Sequence, residues 1–367
     1  WASSCKASRP SLNPERAPGG RSCPGSARRH AANHGIMAGM AIDPNRAGSG
    51  GDAALKVRIG FVLELARRLH EYGTAAPRLE DVVNLVSARL GLACNVLSTP
   101  TSIVMSFSDP RQDDDLAEIT QVVRVPPGDV NLKRLCQVDE IADRVIDGRL
   151  DLAAGRRLLR EVGQRRRSGT YIAGLIASYG VSAGSIAAIL HAAWSGVAAA
   201  TLIGIVIGLV YVMSLGRPNI AAAAEALAAL LATLIATGLA VYVAPLAVRS
   251  VVIASLIVLM PGMSLTTAVR ELSSQHLISG TARMMGALAT LLKLAFGTVA
   301  AAQLCVLLGW VPAGMPEAGV PAWTEWVAVF AGGLAFAVLF GSPLRYVPVV
   351  VASVALGYVC AQLGGAY

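Results

Sequence analysis

The strongest constraint in this sequence is the near absence of charge over its second half. Positions 169–367 hold six basic side chains (Arg217, Arg249, Arg270, Arg283, Lys293, Arg345) and four acidic ones (Glu225, Glu271, Glu317, Glu325). That is about 5% of positions, against roughly 25% in soluble proteins. A soluble fold could hide such a stretch only by burying seven consecutive helices completely; a lipid bilayer accounts for it directly. Residues 55–168 differ, with 18 basic and 16 acidic side chains, and residues 1–54 carry seven and three. The formal charge of +8 is therefore spread along the chain, and no segment concentrates it into a nucleic-acid footprint. The 54% apolar content averages two unlike regions. It excludes a collagen, a wholly disordered chain and a disulfide-rich secreted module.

A helix needs about 20 apolar residues to cross the hydrocarbon. Seven segments reach that length: 171–190, 194–213, 221–244, 250–269, 284–309, 323–342 and 346–363. Short connections predict antiparallel neighbours. Arginine placement predicts the orientation. Arg156, Arg157, Arg160, Arg165, Arg166 and Arg167 precede the first span, so the soluble part and the N-terminus are expected in the cytoplasm. Arg217, Arg270, Arg283 and Arg345 then fall on inner loops, and Arg249, Glu317 and Glu325 on outer ones. Gly180-xxx-Gly184 and Gly204-xxx-Gly208 permit close helix contact, read as tight packing within the bundle.

The first 54 residues are rich in Ser, Pro, Gly, Ala and Arg, without apolar periodicity, and read as disordered. Met37 and Met40 are both plausible native starts, and an Arg-rich, acid-poor segment also fits a transit peptide. In 55–168, helical spacing over 57–72 ends at Gly73, and a second run over 79–90 ends at Gly91. Residues 93–107 read as two short strands broken near Pro100, and 119–125 as another. Helices are expected over 131–146 and 152–162, joined by Asp147-Gly148. The fold class is thus a polytopic α-helical membrane protein, about seven spans, with a small N-terminal α+β domain.

Asp113-Asp114-Asp115 reads as a solvated turn rather than a metal site, and His70, beside Arg67, Arg68 and Glu71, as a surface residue. No nucleophile elbow, phosphate loop, dinucleotide fingerprint or zinc-protease motif occurs, so neither a cofactor nor a catalytic residue is expected. The six cysteines show no paired spacing, which suits a reducing compartment, and Cys305 and Cys360 read as membrane packing residues.

The candidate substrate and ion pathway lies in the spans. Leu259-Met260-Pro261-Gly262 falls inside the fourth. Proline removes a backbone donor there, giving either a simple kink or the broken helix on which transporters build midplane sites. Lys293 lies about ten residues into the fifth segment, where a buried ammonium is costly unless it snorkels to the interface. Glu225, near the cytoplasmic start of the third, reads as a proton carrier, a partner for Lys293, or an interfacial residue. Arg270, Glu271 and Arg283 are expected on a loop or re-entrant stretch between spans four and five, with Arg270 either orienting the bundle or holding substrate.

Two stretches carry a family resemblance. Gly73, Arg78 and Glu80 match G-x4-R-x-E. Leu259 through Leu272, followed by Ser279-Gly280-Thr281-Ala282-Arg283, is similar to L-x-P-G-x-x-L-x-x-A-x-x-D-L and then S-G-x-x-R, with Glu271 where aspartate is usual. The chain on these residues resembles the threonine/serine exporter family of bacterial secondary transporters. The resemblance covers about 55–310 and implies a cytoplasmic domain, five spans, and then a second five-span half. Only two further spans, within 311–367, are found, so the chain is expected to be truncated at its C-terminus. It implies proton-coupled export of small polar amino acids across the inner membrane, with lipid, substrate and protons as partners, and either self-association or pairing with a second membrane half. A small-carboxylate exporter, a membrane-tethered hydrolase and a non-transporting half remain alternatives.

Overall fold

The computed structural model describes residues 50–108, 119–126, 128, 130–164, 168–312 and 319–365. Asp113–Asp115, Arg165–Arg167 and Glu317 lie outside the described residues, as does the expected disordered stretch up to residue 49.

Helix α1 (Gly50–Glu71) begins inside the stretch expected to lack structure, and α2 spans Ala76–Arg89. Between them Gly73 takes φ +79°, the left-handed turn that glycine adopts without strain. Strands β1 (Ala93–Thr99), β2 (Ser102–Ser108) and β3 (Ile119–Arg124) form one antiparallel sheet in that order, with Val96 opposite Met105 and Met105 opposite Gln121. Ile103, Met105 and Phe107 alternate inward from β2, as a half-buried strand requires. They meet Phe61, Leu65 and Leu69 of α1 and Leu79 of α2 in one core. Helix α3 (Leu132–Ile146) starts at Asn131, whose side chain accepts the Arg134 amide, and α4 (Leu152–Gln164) packs on α1.

His70 is a correction. It is 6% exposed, not a surface residue, and its Nε2 lies 2.9 Å from the Thr99 carbonyl at the β1–β2 turn. Its polar neighbours in sequence occupy other helix faces, a distinction visible only once the sheet covers the position.

The membrane part begins with α5 (Gly169–Ile189), α6 (Trp194–Ser214) and α7 (Pro218–Tyr242). Gly180, Gly184, Gly204 and Gly208 all lie in the α5–α6 contact, as their spacing predicted. The core around them is mostly alanine with Leu175, Tyr179, Ile203 and Ile207. The fourth hydrophobic segment is interrupted. Helix α8 (Val248–Leu256) tightens into a short 3₁₀ turn, Ile257–Leu259, and α9 (Gly262–Ser273) leaves at a bend of 55°. Pro261 stands at the break, at the N-cap of α9. Helix α10 (Leu277–Leu307) follows, then α11 (Thr324–Leu339) and α12 (Val347–Gly365).

Among the described residues, five helices are long and apolar enough to cross a membrane, or six if the bent pair counts as one span. The sixth predicted segment, α11, is shorter at 16 residues. Cys305 is buried as expected, but Cys360 is exposed on α12.

Candidate functional site

The length of α10 organises the site. Its 31 residues extend about 46 Å, beyond a hydrocarbon layer of about 30 Å. Arg283 therefore sits near one end and Lys293 in the middle of the same helix. The sequence reading placed Arg270, Glu271 and Arg283 on a loop or re-entrant stretch; the structure places the first two on α9, the second limb of the bent pair, which is a broken span or a re-entrant loop, and Arg283 on α10. The turn between these helices is only Ser274–His276. Hydropathy falls here because Arg270, Glu271 and Arg283 are charged, not because helix is absent.

At the middle of α10, Lys293 Nζ donates to Glu225 Oε2 at 2.9 Å, and Thr290 Oγ1 donates to Glu225 Oε1 at 3.2 Å. Glu225 lies about two turns from the start of α7. The pair forms because α7 and α10 approach closely: a Cβ on Gly297, one turn beyond Lys293, would overlap the Ala226 carbonyl oxygen. The side chains remain 43% and 29% exposed, so the pair lines a surface instead of being sealed in the core.

A second cluster joins the soluble and membrane parts. Glu271 is fully buried. Its carboxylate accepts Arg283 Nε and Nη2, both at 3.1 Å, Ser279 Oγ at 3.0 Å, and the Ala76 amide at 3.0 Å. Ala76 opens α2, so the carboxylate also meets the positive end of that helix dipole. Four positions later Glu80 accepts the Ser98 amide at 2.9 Å and lies 3.1 Å from His276 Nε2 in the α9–α10 turn. Gly280 makes this turn possible, since a Cβ there would press on Leu272 at 2.8 Å. His70 borders the cluster. Burial pushes its imidazole below the ordinary value; the Thr99 carbonyl opposes this, and Arg283 adds to it.

The expected site residues thus fall into separate groups. Lys293 and Glu225 meet. Glu271, Gly280, Arg283 and Glu80 meet elsewhere, in the junction. Arg78 turns away to pair with Asp139 of α3 at 2.8 Å, half exposed. Gly73 shapes the turn before α2, Pro261 and Gly262 form the break, and Arg270 is exposed on α9. Sequence reasoning missed Ala76, Ser98, His276 and Thr290. The first two act through backbone amides, which leave no residue-type signal, and the others looked like ordinary polar residues.

A small α+β part joined to an apolar helical bundle, with one hydrophobic segment broken at proline and an ion pair between α7 and α10, defines a polytopic membrane protein. The model of the threonine/serine exporter family, ThrE, matches residues 60–305, and the chain belongs to that family. It is similar to yeast proteins named pheromone-regulated membrane protein 10. Identity is 26% over 263 residues with the Zygosaccharomyces rouxii protein, covering 71% of this chain and 26% of that one. It is 25% over 322 residues with the Eremothecium gossypii protein, covering 85% and 42%. The chain therefore spans less than half the length of these relatives. No solved structure matches the chain.

Proposed function

We propose that this chain exports small polar amino acids, threonine and serine first among them, across a bacterial inner membrane with protons as the coupling ion. What supports this reading is that one chain carries both a hydrophobic segment broken at Pro261 and the Glu225–Lys293 ion pair between α7 and α10. The first turn of α9 begins at the 55° bend and has no side-chain cap; its Gly262 amide donates to the Met260 carbonyl, which leaves the Met263 and Ser264 amides to meet a carboxylate. Lys293 offers a second carboxylate-binding group, and Glu225 can accept a proton when a substrate claims the lysine. Threonine and serine, zwitterions with one hydroxyl, present the matching groups. The family's name supports this substrate class. In this reading the soluble part is cytoplasmic and biases the entrance through the Glu271 junction, and the bundle works with a second membrane unit.

The test is efflux from cells loaded with a threonine dipeptide, in strains with and without this protein. Faster threonine release with the protein is expected. Undiminished efflux in a strain lacking only this protein would remove the assignment. Release of a small carboxylate but not threonine would move it to the alternative substrate class.

A further inference from the structure

The described membrane helices carry three carboxylates with ion-pair partners, and they are not balanced alike. Glu225 faces Lys293 and Glu271 faces Arg283. Glu325 faces His191, with Nε2 at 3.5 Å from Oε1. The Glu325 side chain is 13% exposed, and its other oxygen accepts the Tyr358 hydroxyl, which in turn accepts Gln362 Nε2 at 2.7 Å. A carboxylate this buried in a membrane protein is fully compensated only when the histidine carries a proton.

Two further observations point the same way. His191 takes φ 54° just after the end of α5. Among the described residues, six of the eight left-handed positions are glycine; His191 and Gln275 are the exceptions. An imidazole is thus held where glycine or asparagine is the usual occupant. The cluster also sits at the end of α11 away from the soluble part. The Phe340 and Gly341 carbonyls, just past the other end of α11, accept the amides of Leu132 and Lys133 at the start of α3.

We propose that His191, Glu325 and Tyr358 form a proton-binding site at the membrane face opposite the soluble part, where the driving proton loads. His191 is the solvent-facing member and takes the proton from water. Glu325 holds the resulting imidazolium, or accepts the proton in its place, and Tyr358 fixes the carboxylate. The titratable groups on the elements packed against α11 are His191 after α5, Tyr171 and Tyr179 on α5, Tyr358 and Cys360 on α12, and at the opposite end Lys133, Arg345 and Tyr346. Of these, His191 and Tyr358 reach Glu325. The role in transport rests on the exporter reading above; the proton site itself does not.

The test uses the full chain in two measurements. In nanodiscs, pH-difference infrared spectra across about pH 5.5–7.5 should show an imidazole–carboxyl signal that is lost in His191→Asn and loses its carboxyl component in Glu325→Gln. Asparagine keeps the left-handed turn, so the first variant folds. In loaded cells, the dependence of efflux on external pH should flatten in both variants, while exchange driven by the substrate gradient alone persists. Spectra and pH dependence that match wild type in both variants overturn the proposal. A titration that behaves as expected in a wild type that exports no threonine supports the proton site and counts against the substrate reading.

Discussion

The Glu271 carboxylate of α9 holds the backbone amide of Ala76, the first residue of α2, at 3.0 Å while pairing with Arg283 of α10. One buried anion thus ties the soluble part to the second half of the broken span and to the helix that carries Lys293. Any shift of α2 must move or strip this carboxylate.

Glu271→Gln leaves Arg283 without its counter-charge, and breaking a buried pair from one side costs about 3–5 kcal/mol. A marked drop in the melting temperature of the solubilised protein is expected, with faster proteolysis between the soluble part and α5. Glu271→Asp keeps the charge but is one methylene short of holding Arg283 and Ala76 together, so its loss should be less than half as large. Equal melting of all three proteins would show that the junction contributes nothing.

Arg78→Ala gives the contrasting case. Arg78 belongs to the same sequence motif, yet its pair with Asp139 is 46% and 34% exposed. Exposed pairs contribute about 1 kcal/mol or less. Chemical unfolding should shift by no more than that, and efflux should stay within about twofold of wild type, a difference of roughly 0.4 kcal/mol.

Lys293→Ala leaves Glu225 unpaired on the α7–α10 surface and should abolish efflux while membrane insertion stays intact. The charge swap Lys293→Glu with Glu225→Lys keeps a pair in place, and a double-mutant cycle on protein stability should report coupling of about 0.5–3 kcal/mol. Gly297→Leu reaches the same pair indirectly, by forcing α10 away from the Ala226 carbonyl, at about 1–3 kcal/mol. Normal transport by Lys293→Ala sinks the role of the lysine.

His70 makes stability depend on pH. Burial holds its folded value below the unfolded one of about 6.5, so the neutral ring is favoured in the folded chain. That contribution is present above about pH 6.5 and is lost as pH falls from there toward the folded value. Melting temperatures taken from about pH 7.5 down to 5.5 should fall more steeply for wild type than for His70→Gln. Parallel slopes would assign the acid sensitivity to other groups.

Much of this architecture is written in residue type. Charge density alone separates the soluble part from the bundle, because lipid excludes charge at any sequence position. Glycine and proline mark the turns after α1 and α2, the tight α5–α6 contact and the break at Pro261, since each acts through its own backbone. The site is less legible. Arg270, Glu271 and Arg283 depress hydropathy and so read as a loop or re-entrant stretch, and α9 and α10 are helical through them.

The sequence by itself determined a membrane protein with a soluble N-terminal part, a fourth span that cannot run straight, and a lysine placed where a lysine is costly. Only the tertiary structure decided which charges meet. Lys293 found Glu225 because Gly297 lets two helices close, and Glu271 found Ala76 because a backbone amide at a helix start attracts an anion. Partnership between residues 68 or 195 positions apart depends on distance after folding, and no local pattern encodes it.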